Sequence, residues 1–232
     1  MSARLGTPRL HLRATDSTND RARALAGSGA PHGTLVTAGA QSAGRGRQGR
    51  TWEAPAGRAL LMSLVLRAWP RLLPLAAAVA VADVAGAGGG DISIKWPNDV
   101  LLCGGKLAGI LVEARPQEGW AVVGIGMNVA VRPGDLPEEL RDRSASLGLE
   151  PSALETTLAA VLAALGERLA LEPAALLAAF RQRDALLGRE VRWQRGEGTA
   201  AGIDEHGRLL VDRPDGTRAA LDAGEVHLAR AP

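Results

Sequence analysis

The 232-residue chain has no tyrosine, one phenylalanine and one cysteine, and aromatic side chains make up only 3% of it. So few flat side chains speak against a surface that binds single-stranded nucleic acid by stacking its bases. The lone Cys103 excludes an internal disulfide and fits a reducing compartment. The four histidines, His11, His32, His206 and His227, share no ligand spacing, so a zinc site is poorly supported. An excess of one charge is lacking too. The formal net charge is +2, and the pI near 9.3 reflects arginine-for-lysine usage. That balance demands no nucleic-acid partner. Nor is there a long hydrophobic run: Leu72 to Ala82 is interrupted by Pro74 and closed by Asp83, too short to span a bilayer. The opening Met-Ser-Ala-Arg leads into no apolar signal segment, and a cytoplasmic protein without a membrane partner is expected.

What is present is an ordinary globular balance, 46% apolar and 22% charged, with length for one large domain or a medium one plus a small one. Residues 1–9 read as a frayed end. Leu10 to Ala14, Thr34 to Ala38 and Ala59 to Arg67 read as strands, with helix-favouring Arg21 to Ala26 between the first two. Ser17 and Asp20 have the spacing of a helix cap. An apolar helix over Pro74 to Ala85 ends in a glycine cluster. Strands follow at Ile92 to Trp96, Val100 to Leu102, Leu107 to Glu113 and Trp120 to Asn128. Pro133 to Ser144 reads as irregular, and Pro151 to Ala170 and Pro173 to Leu187 as helices. Consecutive strands with few helices between them predict an α+β fold, a mixed sheet with flanking helices. From Gly188 five short segments alternate with glycine turns (190–193, 199–203, 209–211, 218–221 and 226–228), predicting a small β-barrel. We therefore expect a catalytic domain over 1–187 and a small domain over 188–232.

The most unusual stretch is Gln41-Ser-Ala-Gly44-Arg45-Gly46-Arg47-Gln-Gly49-Arg50-Thr-Trp52. Glycine at this density costs both helix and strand, and clustered guanidinium groups repel unless an anion lies among them. It reads as a loop leaving a strand to close over a carboxylate or phosphate, with arginines that lack an anion until a ligand arrives. Ligand binding is accordingly expected to order residues 44–50. Gly44-x-Gly46-x-x-Gly49 matches a dinucleotide fingerprint as a string, but Trp52, Pro55 and Gly57 follow where a helix must open. Val100 stands where Gly105-Lys106 would need the first glycine of a phosphate-binding loop, and no Gly-x-Ser-x-Gly elbow occurs. What remains is a series of short polar motifs at strand ends: Asp16-Ser17-Thr18-Asn19, the arginine loop, Lys95-Trp96-Pro97-Asn98-Asp99, Gly105-Lys106-Leu107-Ala108-Gly109 and Gly124-Ile125-Gly126-Met127-Asn128. Each alone has a plain reading: a cap, a turn, a core tryptophan, a solvated Lys95. Together they supply hydroxyls, amides, cations, close-approach glycines and an indole, which suits a small acid beside a nucleotide.

These motifs, in this order from Leu10 to Val129, resemble the biotin protein ligases. The resemblance implies the biotin/lipoate ligase catalytic fold, akin to class II aminoacyl-tRNA synthetases, with residues 188–232 similar to that family's SH3-like C-terminal domain. It implies ATP-dependent formation of biotinyl-5′-adenylate, then transfer of biotin to a lysine of a biotin carboxyl carrier domain. Ser17, Thr18, Asn19, Gln41, Gly44, Arg45, Gly46, Arg47, Lys106, Gly109 and Gly124 are implied for biotin and its acyl phosphate. Arg47, Arg50, Trp52, Asn98, Asp99 and Asn128 are implied for ATP, with Trp52 stacking on adenine. Lys106 and Arg47 are the implied catalytic cations. Mg²⁺ is implied as a companion of ATP, positioned by Asp99 through water, with no protein metal site firmly assigned. Bifunctional members carry a winged helix-turn-helix ahead of the ligase core; too little chain precedes Leu10 for one, so a monofunctional enzyme, monomer or weak homodimer, is expected. A lipoate ligase shares the fold and chemistry, but the arginine loop and Lys-Trp-Pro-Asn-Asp favour biotin. A nucleic-acid-binding protein using the loop as a basic patch is the other alternative, and near-neutral charge argues against it.

Overall fold

The computed structural model describes residues 4–222, 224 and 226–228. Its centre is β3, Ala59–Leu66, whose eight residues are all buried. On one side β3 pairs antiparallel with β2 (Leu35–Ala38), which pairs parallel with β1 (Arg9–Leu12). On the other side it pairs with β7 (Trp120–Asn128), followed by β6 (Gly105–Arg115), β5 (Asp99–Leu102) and β4 (Ile92–Lys95), all antiparallel. The seven-stranded order is thus β1-β2-β3-β7-β6-β5-β4, the mixed sheet that strand-rich spacing predicts. A two-residue turn at Cys103 and Gly104, with φ of 49° and 81°, joins β5 to β6. Positive φ at both positions matches the right-handed twist of a tight hairpin.

Strand periodicity divides the chemistry between the two faces. Met62, Leu64 and Leu66 pack into the main core with α2 (Leu73–Gly86) and α4 (Leu154–Leu169). Val65, with Val36, Trp120 and Val122, packs against Ala22 and Ala26 of α1 (Thr18–Gly27). Ser63 shares the α1 side by the same alternation. The short α3 (Glu138–Arg141) lies in the stretch read as irregular. Of the expected frayed start, residues 1–3 lie outside the described residues, but Leu5 packs on the core and the Gly6 amide donates to the Gly33 carbonyl at 2.9 Å. The last helix, α5 (Pro173–Arg181), stops six residues before the expected Leu187. Tertiary pairing overrides helical propensity there, because the Ile94 amide donates to the Arg183 carbonyl and the Ala185 amide to the Ile94 carbonyl.

The C-terminal segments form a five-stranded antiparallel sheet ordered β11 (Arg218–Leu221), β10 (Leu209–Asp212), β9 (Gly196–Ile203), β8 (Glu190–Trp193) and β12 (His227–Leu228). Val191, Ala200, Leu209 and Val211 belong to the same core as Phe180 and α2. The Trp96 indole N–H donates to the Gly207 carbonyl at 2.9 Å, and Gly207, at φ +76°, sits against Leu72 and Leu75. Among the described residues no helix is long and apolar enough to cross a membrane.

Candidate active site

The register of the large sheet lays out the site on the α1 side. Leu61, Gly126, Gly109, Asp99 and Lys95 stand opposite one another across five strands, and Ser63, Gly124 and Leu111 form the next row. Simple alternation from Gly109 would send Lys106 to the opposite face. A β-bulge between Val100 and Leu101 adds one residue to β6, so Leu107 and Ala108 both enter the main core. Lys106 then lines the same cleft as Gly109, which is how bulges re-aim a side chain. The cleft encloses about 930 Å³ of space open to solvent and is bounded by the N-terminal end of α1, the arginine loop, both glycine rows and, from the small sheet's end, Gly224 and Val226.

One end of the cleft is neutral. The Gln41 side-chain oxygen accepts from the Thr18 amide at 2.7 Å and contacts the Thr18 hydroxyl at 3.0 Å. Gln41, rather than Ser17 or Asp20, thereby caps α1: Ser17 occupies the cap position with extended dihedrals and makes no side-chain cap bond. Buried Ser63 reaches Asn19 Oδ1 at 2.6 Å and the Thr18 hydroxyl at 2.9 Å. Two hydroxyl protons therefore serve three contacts, leaving one acceptor site for an incoming donor. Asn19 lies directly on Gly124, where a Cβ would overlap its amide oxygen.

The other end is cationic. Lys106 Nζ stands 2.8 Å from Asp99 Oδ1, out of line for a hydrogen bond. Arg47 donates to Asn98 Oδ1 over a long 3.4 Å, while Asn98 donates to the Ile110 carbonyl at 2.9 Å. Burial lowers the pKa of the Arg47 guanidinium, with Asp99 opposing and Arg50 adding to the shift. Burial lowers Lys95 as well, with Asp99 opposing and Lys106 and Arg50 adding. His227 from the small sheet is lowered by burial and by the charges of Lys95 and Arg50. Trp52 rests on the glycine floor: a Cβ on Gly126 would come 2.5 Å from its ring and one on Gly109 3.2 Å. Lys106 Nζ sits 5.8 Å from the indole centroid.

Most of the residues expected from sequence meet in this cleft: Ser17, Thr18, Asn19, Gln41, Arg45, Gly46, Arg47, Arg50, Trp52, Asn98, Asp99, Lys106, Gly109 and Gly124 all line it. Gly44 and Asn128 do not. Gly44 makes room for the Trp52 carbonyl and the Gln41 amide. Asn128 is buried, and its amide donates to the Ala145 carbonyl at 3.0 Å, so it fastens the segment whose Arg143 carbonyl accepts from the Lys106 backbone. The expectation that the loop's arginines lack an anion fails at Arg45, which pairs with Asp20 at 2.6 Å and Glu113 at 3.4 Å. Sequence reasoning missed Ser63 and Glu113 and undervalued Lys95. Ser63 had a signal, a lone hydroxyl in an eight-residue apolar strand.

A neutral hydrogen-bonding end and a cationic end in one glycine-floored cleft suit a polar-headed carboxylic acid beside a polyphosphate. The sequence profile of the Biotin/lipoate A/B protein ligase family matches residues 12–129, and that of the Biotin protein ligase C terminal domain matches residues 186–228. A biotin–[acetyl-CoA-carboxylase] ligase of Paracoccus denitrificans is 37% identical over 238 residues, covering 93% of this chain and 98% of that protein. The bifunctional ligase/repressor BirA of Bacillus subtilis is 44% identical over 140 residues, covering 56% of this chain and 43% of that protein; the match thus spans less than half of that relative's length. The structure of a biotin protein ligase from Aquifex aeolicus in complex with biotin and ATP superposes with a TM-score of 0.82 at 28% identity, covering 97% of this chain and 100% of that one. The chain belongs to the Biotin/lipoate A/B protein ligase family.

Proposed function

We propose that this chain is an ATP-dependent biotin–protein ligase. It forms biotinyl-5′-adenylate and transfers the biotinyl group to a lysine of a biotin carboxyl carrier domain of a carboxylase. The observation that carries this reading is the meeting of Arg47, Lys95 and Lys106 at one end of a cleft whose other end is built from Thr18, Asn19, Gln41 and Ser63. A ureido ring offers two N–H donors and one carbonyl, a match for hydroxyl and amide groups with an acceptor to spare. In the first step a biotin carboxylate oxygen bonds to the α-phosphorus and pyrophosphate leaves. Arg47 and Lys106 hold carboxylate and phosphate together against their repulsion. In the second, the acceptor amine bonds to the acyl carbon, AMP leaves with the anhydride oxygen, and the amine proton passes to water.

Lys106 is the main catalytic cation and Trp52 the adenine platform; Asp99 keeps Lys106 over the floor until a substrate anion takes its place. Magnesium enters with ATP, whose phosphates supply most of its ligands, and Asp99, which lines the cleft, would help position it through water. The catalytic unit ends at residue 187, a division supported by the C-terminal profile beginning at 186 and by the separate five-stranded sheet. We place the enzyme in the cytoplasm as a monomer or weak homodimer, with no nucleic-acid or membrane partner. The test is mass spectrometry of the protein with biotin and Mg·ATP, followed by a biotin carboxyl carrier domain. A bound biotinyl-adenylate and a biotin-sized mass gain on one carrier lysine are expected. Adenylate from lipoate or octanoate but not from biotin would overturn the substrate, and none from any of them would overturn the activity.

A further inference from the structure

We propose that Glu113 is a positioning residue whose carboxylate ties the arginine loop to the neutral end of the cleft, with Arg45 as its latch rather than a ligand of the reacting anion. This rests on the biotin ligase reading for its ligand, though the latch itself is a property of the ligand-free fold.

The two loop arginines differ in what they touch. Arg45 sends one nitrogen to Asp20 of α1 at 2.6 Å and the other to Glu113 of β6 at 3.4 Å. Arg23 approaches the same two carboxylates, at 3.1 and 3.4 Å, so two cations and two anions close a ring. The Arg45 charge is thus already paired at the surface, and a substrate carboxylate brought there would meet two carboxylates first. Arg47, two residues on, is half-buried and among the described residues donates only to the neutral Asn98 amide, over a long 3.4 Å, with the Asp99 carboxylate acting on it through space. Incoming anions are therefore directed to Arg47.

Glu113 has a second duty. Its other oxygen accepts from Asn19 Nδ2 at 2.9 Å. That bond fixes which way the Asn19 amide faces: its nitrogen toward Glu113, its oxygen toward Ser63 and Gly124. The register places Glu113 opposite Val122, on the α1 side of the sheet, one row beyond Ser63 and Gly124. One carboxylate thus orients the amide at the floor and, together with Asp20, holds down the loop that covers it. Recognition of the ring and closure of the loop become a single event. The pairs are partly exposed, so the latch is a bias that salt weakens rather than a lock.

The experiment compares Glu113→Gln, Arg45→Gln and their double variant by amide hydrogen exchange of residues 44–50 without ligand, biotin titration calorimetry, and single-turnover adenylate formation at saturating biotin. Glutamine at 113 keeps an acceptor for Asn19 and removes the charge. Arg45→Gln is expected to speed loop exchange and weaken biotin binding by about threefold, Glu113→Gln to do the same to a smaller extent because the Arg45 pair with Asp20 remains, and the double variant to do no more than Arg45→Gln alone. The saturating rate should stay within about twofold of wild type, because Arg47 and Lys106 remain in place. Unchanged loop exchange in Glu113→Gln, effects that add in the double variant, or loss of the saturating rate in Arg45→Gln would each overturn the proposal. If Glu113→Gln does not fold, Asp20→Asn cuts the same latch from the helix side and is read against the same outcomes. Loosening of the loop in a protein whose wild type binds no biotin would uphold the latch and overturn the ligase reading instead.

Discussion

The two ends of the cleft are built on different principles. At the neutral end, Thr18, Asn19, Gln41 and Ser63 bond to one another and to Glu113 at 2.6–3.0 Å, on elements fixed by the central strands. At the cationic end the contacts are long or out of line, as at Arg47 and Lys106. The Trp52 indole N–H there is buried with no hydrogen-bond partner among the described residues. A neutral ligand must find its partners already aimed, since each polar bond yields little in net terms. An anionic ligand brings strong acceptors of its own, so that end needs charge held in reserve over a dry floor. Shape is read by the rigid end, and chemistry is left to the end whose groups are only loosely engaged.

Breaking the cationic end has the largest expected effect. Lys106→Ala should lose at least about a hundredfold in single-turnover adenylate formation, equivalent to about 2–4 kcal/mol of transition-state stabilisation, and a wild-type rate would remove Lys106 from the chemistry. The neutral end breaks by steric means. Gly124→Ala puts a methyl into the Asn19 amide, which Ser63 and Glu113 prevent from yielding; biotin affinity measured by calorimetry should fall roughly 30-fold, about 2 kcal/mol and within the roughly 1–3 kcal/mol of overpacking. Ser63→Ala removes one donor and leaves Asn19 Oδ1 without it, costing about 1–3 kcal/mol in denaturant-measured stability, with a rise in the KM for biotin and little change in that for ATP. The smallest effect sharpens the contrast through pH. Burial lowers the Lys95 pKa from its ordinary value, so its cation is present below that lowered pKa and lost as pH rises through it. ATP affinity should decline along that alkaline limb while biotin affinity stays level, and Lys95→Arg, charged throughout, should push the limb to higher pH. A flat ATP profile in the wild-type protein would show that Lys95 does not face the phosphates.

Much of this was legible because the informative residues are locally improbable: an arginine-glycine run and polar clusters at strand ends mark a site before any fold is known. The fold class followed from strand spacing in the same way. What stayed hidden depends on long-range register. Lys106 reaches the cleft only through a bulge that the apolar alternation of Leu107 to Glu113 does not announce. Asn128 carries a binding motif's spelling, but its amide nitrogen donates to Ala145, seventeen residues later, while its Oδ1 has no hydrogen-bond partner among the described residues. Glu113 looks like any strand-end carboxylate until β6 brings it beside Asn19 and Arg45. The early end of α5 has no proline or glycine to signal it and follows from the pairing of Ile94 with the chain around Asp184.

The bond from Trp96 to Gly207 also bears on how the protein is made. Ribosomes release a chain from its N-terminus, and early segments fold while later ones are still being added. Here the strand leading to Asn98 and Asp99 waits more than a hundred residues for the carbonyl that receives its indole proton, and the cleft gains Gly224 and Val226 later still. A nascent chain that has reached only residue 187 leaves Leu72 and Leu75 without the turn that lies against them, so two core leucines wait for the later segment. The order of synthesis therefore makes the cleft one of the last parts of the described fold to be completed.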